Sequence, residues 1–168
     1  AANLKKLAIK KSFGMDIEYK KLLFKIINIW PDNKLVLYRL ASYYKSKSQY
    51  RKSLKIYKKI LDHHNSNDRD LFLYAANLDK IGKWKEARVL FLELLKKNPQ
   101  DTFTLNYVSY KLALKNQELE LALDLIKKAL VLDPDNGYFL DTLGWVEYKR
   151  KNFKSAVYFL EKSVSILP

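Results

Sequence analysis

Prolines fall at positions 31, 99, 134 and 168, and Asn65 stands midway between the first two, so an interval of 34 or 35 residues recurs along the chain. A fixed period of this size means that one supersecondary unit is repeated, because each unit leaves an apolar face that only a neighbouring unit covers. No other feature of the sequence constrains the fold as strongly, since it dictates a stack of units rather than one closed core. Counting Lys34 as position 1 and allowing one extra residue in the third period, the same residue types return. Position 8 is small (Ala41, Ala75, Ser109, Gly144), as is position 20 (Ser53, Ala87, Ala122, Ala156). Position 7 is bulky in most periods (Leu40, Tyr74, Val108, Leu143), as are position 17 (Tyr50, Trp84, Leu119, Phe153) and position 24 (Tyr57, Phe91, Ile126, Leu160).

Small residues where two helices cross let the axes approach to roughly 8–10 Å, and the large residues fill the space beside them. Gly144 would cost about 1 kcal/mol relative to alanine inside a helix, so a close crossing is its natural explanation. The chain holds only 4 Gly and 4 Pro among 168 residues, which leaves few breakers and favours an all-helical protein. Proline cannot continue a helical hydrogen-bond ladder and restricts the residue before it, so each proline should end the second helix of a unit. Asp32 and Asp135 follow two of the prolines and are expected to cap the next helix.

The pattern resembles the tetratricopeptide repeat, a helix–turn–helix unit with the signature W-x2-L-G-x2-Y…A-x3-F…P. Leu143, Gly144, Ala156 and Pro168 stand at its defining places. The resemblance implies an all-α, right-handed superhelix of stacked helix pairs, with repeats at 34–67, 68–101, 102–136 and 137–168. The turns read KSKSQ, KIGK, KNQEL and KRKN, the third being one residue longer. The first period ends HHNSN without proline, which predicts a slightly longer helix there. Residues 1–33 form a degenerate repeat or capping helices, with Tyr19 where a small residue is expected. Residues 105–164 are also similar to a group of bacterial tetratricopeptide proteins that carry Asn-Tyr-x-Gly-Tyr and Asp-Ser-Leu-Gly-Trp segments. Here Ser109 replaces the glycine of the first and Thr142 the serine of the second. Members of that group are exported or lipid-anchored, so the resemblance implies the bacterial envelope, with a cytoplasmic location as the alternative. The chain starts AANLKK, without Met, which reads as a processed protein or an excised fragment, so that a removed signal peptide or lipid anchor would leave no trace in it.

A repeat array presents a concave surface lined by its first helices. Positions 2, 5, 9 and 12 should face it, which yields Leu35, Tyr38 and Ser42; Arg69, Phe72, Ala76 and Asp79; Phe103, Asn106, Tyr110 and Ala113; and Tyr138, Asp141, Trp145 and Tyr148. Aromatic side chains combine apolar area with low entropy cost and dominate binding hot spots. The candidate partner-binding residues are therefore Tyr38, Phe72, Phe103, Asn106, Tyr110, Tyr138, Asp141, Trp145 and Tyr148. Two readings of these aromatics stay open: a groove for a protein or peptide, or internal packing beneath a further helix. The carboxylate clamp of chaperone-binding relatives needs Lys and Asn at inward positions. Tyr38, Ser42 and Phe72 stand there instead, so an apolar segment suits the groove better than an acidic tail.

Catalysis is not expected, and neither is a cofactor. There is no cysteine, no glycine-rich phosphate loop and no Ser/His/Asp grouping. His63–His64 closes a helix with no ligand partner at helical spacing and reads as a solvated pair rather than a metal site. Glu118 and Glu120, two residues apart, point to different helical faces and do not form a catalytic pair. The formal charge of +14 brings in a competing function, binding of RNA or of an anionic membrane surface. Against it, only five of the 32 cations are arginine (39, 51, 69, 88, 150), and the lysines are spread along every predicted helix. No run of about 18 apolar residues is present to span a membrane. The stripe Val157, Leu160, Val164 and Ile166 is expected to be partly bare and open to self-association or to further sequence.

Overall fold

The computed structural model describes residues 16–63 and 65–166. Among these, regular structure is entirely helical: α1 (Asp16–Ile29), α2 (Lys34–Ser46), α3 (Tyr50–His63), α4 (Asp68–Lys80), α5 (Trp84–Lys97), α6 (Thr102–Leu114), α7 (Leu119–Leu132), α8 (Gly137–Lys149) and α9 (Phe153–Ile166). Helices of 13 residues alternate with helices of 14 from α2 onward. The chain divides into two compact units, one ending at Ala87 and the other starting at Arg88.

The helix ends show why the sequence folds in this rhythm. Asn33, Asn67, Asp101 and Asn136 each sit in extended backbone and accept backbone N–H groups of the first turn of α2, α4, α6 and α8. At Asn67 the cap is reciprocal, because Asp70 in turn accepts from the Asn67 N–H at 2.9 Å. The capping residue thus stands one position later than expected at Asp32 and Asp135. Those two carboxylates lie in the preceding turn and pair with Lys59 at 2.7 Å and Lys162 at 3.2 Å.

The turns within each helix pair share one geometry. Ser48, Gly82, Asn116 and Lys151 adopt left-handed backbone, with φ of 55°, 84°, 53° and 66°. The following N–H reaches back to a carbonyl five residues earlier, as in Gln49 N to Tyr44 O at 2.8 Å and Asn152 N to Glu147 O at 2.9 Å. This is a Schellman closure, which satisfies carbonyls left free at the helix end. The extra residue of the third turn is accommodated at Glu118, a second left-handed position with φ of 43°. The described part of α3 ends at His63 and matches the other second helices in length, while His64 lies outside the described residues.

In the N-terminal unit α1 packs on α2, α2 on α3 and α3 on α4. Tyr19, Leu23, Ile26, Val36, Leu40 and Tyr43 form one cluster, and Leu37, Ala41, Tyr57 and Ile60 another. Tyr19 fills the slot expected to be small by lying against Tyr43, ring centroids 6.0 Å apart. Of the expected N-terminal cap or degenerate repeat, residues 1–15 lie outside the described residues.

In the C-terminal unit α6 packs on α7, α7 on α8, and α8 on both α6 and α9. Leu105, Val108, Leu112, Ile126 and Val146 are among its fully buried side chains. The small residues act at the crossings as expected. Ser109 is wholly buried, and its hydroxyl donates to the Ala122 carbonyl at 2.7 Å, so the polar atom is satisfied at the point of approach. A Cβ placed on Gly144 would lie 2.6 Å from Leu160 Cγ and 3.2 Å from the Ala156 carbonyl oxygen. Phe153, expected to fill space between helices, is instead exposed and stands edge-on to Tyr148, with centroids 5.8 Å apart.

Candidate partner-binding face

Seven of the nine candidate residues fall in the C-terminal unit, on two helices that pack against each other. Phe103, Asn106 and Tyr110 lie on α6, and Tyr138, Asp141, Trp145 and Tyr148 lie on α8. Spacings of three and four residues put each set on one stripe of its helix. The stripes are open to solvent: relative exposures are 79% for Phe103, 40% for Tyr110, 67% for Tyr138 and 47% for Tyr148. Asp141 is also exposed, whereas Asn106 and Trp145 are half-buried. Within the described residues no side chain covers these four rings to the point of burial.

The α8 stripe has internal order. Trp145 and Tyr148 stack with centroids 5.4 Å apart and an interplanar angle of 18°, and Phe153 closes edge-on against Tyr148. Lys149 places its ammonium 4.8 Å from the Trp145 ring centre, a cation–π contact four residues along the helix. Behind them Arg150 bridges Glu147 at 3.1 Å and Glu120 at 3.0 Å, while Asn152 donates to Glu147 at 2.7 Å. This network ties the turn after α8 to the start of α7 and fixes the end of the stripe. Glu118 pairs with Arg88, so Glu118 and Glu120 serve different arginines and form no carboxylate pair.

Two polar atoms on this face have no hydrogen-bond partner within the described residues: the Asn106 side-chain oxygen and the Trp145 indole N–H, both covered by neighbouring atoms. Unsatisfied polar atoms are uncommon in native interiors and cost roughly 1–3 kcal/mol each.

The N-terminal unit uses its candidates differently. Tyr38 is half-buried on α2, packs edge-on to Tyr57 with centroids 6.3 Å apart, and donates its hydroxyl to Asp70. Asp70 is fully buried on α4 and also takes Lys34 at 2.8 Å and the Asn67 N–H at 2.9 Å. Burial works to raise the Asp70 carboxyl, but these bonds outweigh it and hold the group below the ordinary carboxylate range. Burial, followed by the bond to Asp70, pushes the Tyr38 phenol up to about 12. The polar end of Tyr38 is thus committed to holding α2 on α4. Phe72 is half-buried on α4. Two further inward positions are closed as well, since Asp79 and Ala113 are buried rather than lining a surface.

Sequence reasoning assigned Phe153 to the core and gave Lys149 no role, although its four-residue spacing from Trp145 could have indicated the contact. No group of three or more metal-binding side chains occurs among the described residues. No described helix is long and apolar enough to cross a membrane.

Residues 71–101 match the family model of the tetratricopeptide repeat. A TPR repeat-containing protein of Pseudomonas aeruginosa, PA4667, is 29% identical over 75 residues, which is 45% of this chain and 13% of that protein. The chain thus spans about an eighth of the length of this relative. Solved structures with the same fold include a tetratricopeptide repeat protein from Parabacteroides merdae, with a TM-score of 0.79 at 18% identity over 99% of this chain and 66% of that one. MamA from Desulfovibrio magneticus gives 0.77 at 17% identity, over 98% and 93% of the two chains. YrrB, described as a TPR protein with an unusual peptide-binding site, gives 0.68 at 18% identity, over 99% and 85%. The fold is therefore that of the tetratricopeptide-repeat solenoids.

Proposed function

We propose that this chain is a non-catalytic scaffold that holds a protein or peptide partner on the α6–α8 face. In this reading the repeats run 34–67, 68–101, 102–136 and 137–168, and the similarity to envelope-associated bacterial proteins gives the setting. The observation that carries the proposal is the pair of exposed aromatic stripes on packed helices, Phe103 and Tyr110 facing solvent beside Tyr138 and Tyr148. Large rings left in water are unfavourable by themselves, and contiguous exposed apolar area marks interaction surfaces. Their two rotatable bonds make them cheap to fix in a complex, which is why such rings supply hot spots. The buried, unpartnered atoms of Asn106 and Trp145 support a surface that completes its hydrogen bonding when a partner shifts these side chains. The bare part of α9, with Val157 at 54% and Val164 at 72% exposure, extends the proposal to self-association.

The test is capture from extract of the source organism, comparing wild type with Tyr110→Ala/Trp145→Ala at low and moderate salt. The proposal expects a protein retained at moderate salt and lost in the double variant. Capture of RNA or anionic lipid that vanishes with salt and ignores the substitutions would replace it with an electrostatic function, since counter-ion release makes such binding steeply salt-dependent.

A further inference from the structure

We infer that the segment received by the α6–α8 face carries a basic side chain between apolar residues, with Asp141 as its counter-ion. The inference rests on the reading of that face as a partner-binding surface and adds the chemistry of the partner. Asp141 is exposed, and its carboxylate makes no ion pair or hydrogen bond within the described residues. Cations are not scarce: the chain holds 32 Lys and Arg against 18 Asp and Glu. Several carboxylates of the same unit have found them, Glu118 with Arg88, Glu120 and Glu147 with Arg150, and Asp135 with Lys162. Glu93, Asp124 and Glu161 are, like Asp141, exposed and without an ion pair within the described residues, but lie on α5, α7 and α9 away from the aromatic stripes. What sets Asp141 apart is its place in the middle of the α8 stripe, three residues after Tyr138 and four before Trp145.

This is the environment that recognises a cation. Aromatic faces are electronegative and attract ammonium and guanidinium groups, and a carboxylate beside them supplies the full charge. The stripe already shows the first half of this chemistry, because Lys149 lies over Trp145. Lys149 is the sole cation of α8 and is placed on Trp145, and Lys111, the sole cation of α6, sits one position beyond Tyr110 and off the stripe. The Tyr138 ring, at 67% exposure, has no aromatic or cation contact within the described residues, so Tyr138 and Asp141 form the vacant pair. Asn106 holds the same repeat position on α6 as Asp141 on α8 and adds a neutral oxygen without a partner. Phe103 and Tyr110 provide the apolar ground for the flanking residues.

The net charge of +14 would by itself favour acidic ligands. At physiological ionic strength, however, the screening length is about 8 Å, so charges spread over the rest of the surface act weakly at this spot and the contact pair decides.

The test is to pan a phage-displayed random dodecapeptide library on wild type, Asp141→Asn, Asp141→Lys and Tyr110→Ala/Trp145→Ala at physiological salt. The best wild-type peptide is then titrated calorimetrically beside its Arg-to-Gln counterpart. The expected result is enrichment of Arg or Lys between aromatic or aliphatic residues. Asp141→Asn should weaken that peptide about fivefold and remove its advantage over the Gln form, as one solvated ion pair with a ring contact implies. Asp141→Lys should turn the preference to acidic peptides. Apolar peptides that depend on Tyr110 and Trp145 but show no basic preference, an acidic one, or a basic one that survives Asp141→Asn would overturn this inference and leave the face standing. Failure to select any peptide whose binding the Tyr110→Ala/Trp145→Ala variant abolishes would overturn both. Asp141 is exposed and makes no ion pair or hydrogen bond within the described residues, so its variants are expected to keep the wild-type circular dichroism spectrum.

Discussion

Replacing Gly144 with alanine tests the crossing of α8 and α9 through the sign of the effect. In an open helix the change would stabilise the protein by about 1 kcal/mol, because alanine is the better helix former. Here the new Cβ would stand 2.6 Å from Leu160 Cγ, 2.9 Å from Leu160 Cδ2 and 3.2 Å from the Ala156 carbonyl oxygen. The first two contacts are far inside van der Waals distance, and the branching carbon of Leu160 cannot swing away as a side-chain tip could. Driving that leucine off its rotamer costs roughly 0.5–1.5 kcal/mol. Separating the helices to relieve the carbonyl contact adds a strain typical of overpacking, about 1–3 kcal/mol in all. The net expectation is a loss of about 1 kcal/mol. In a Leu160→Ala background the two closest contacts disappear, so Gly144→Ala should there turn neutral or stabilising, with a coupling of about 2 kcal/mol across the cycle. Urea unfolding of the four proteins, followed by circular dichroism and by hydrogen exchange of α8 and α9 amides, gives the comparison. Stabilisation by Gly144→Ala in the wild-type background, or a cycle without coupling, would refute the close-crossing argument.

Further outcomes are expected. Asp70→Ala should cost about 2–4 kcal/mol, measured by urea midpoint, because it strands Lys34 and removes a reciprocal cap, although partial exposure of Lys34 at 28% moderates the loss. Since the folded state depresses the Asp70 carboxyl, its contribution is present above the ordinary carboxylate value and is lost as pH falls through the folded-state value. An Asp70→Asn protein should therefore lose less stability than wild type on acidification. At the alkaline end the Tyr38 phenol, raised from 10 to about 12, contributes stability that is complete below pH 10 and lost as pH rises through about 12; Tyr38→Phe should flatten that part of the profile. Lys151→Gly should stabilise by about 0.5–1 kcal/mol, because a left-handed lysine at φ 66° carries a cost that glycine avoids, and an unchanged urea midpoint would count against the turn argument. Val157→Glu/Val164→Glu should abolish the concentration-dependent sedimentation expected of wild type, and a wild-type protein that stays monomeric throughout would remove self-association from the proposal.

The period was legible in the sequence because it is enforced by packing, and packing needs the same residue sizes at the same places each time. Ala41, Ala75, Ser109 and Gly144 are all small where a second helix crosses, whatever their polarity. Hydrogen-bonded detail was less legible. The caps at Asn33 and Asn136 compete in sequence with the aspartates just before them, and only the backbone angles decide which side chain faces the helix end. The left-handed turn residues are Ser, Asn and Lys in three cases out of four, so the glycine signal appears only at Gly82. Tyr19 reads as a misfit in isolation, and its place becomes clear only with Tyr43 beside it.

The candidate face divides along the same line. Counting every inward position identified the α6 and α8 stripes, but it also returned Tyr38, whose hydroxyl is committed to Asp70, and Asp79 and Ala113, which are buried. Helical phase says which way a side chain leaves its own helix, whereas exposure depends on what the neighbouring helix places over it. Charge shows the converse error. A total of +14 describes the whole surface, yet recognition happens within a screening length, where pairing matters more than the sum. Both arginines of the C-terminal unit are already paired, in Arg88–Glu118 and Arg150–Glu147, and the α8 stripe keeps one carboxylate without a partner. A strongly basic chain can therefore keep an unpaired carboxylate within an aromatic stripe, and a partner selected there need not be the one its isoelectric point suggests.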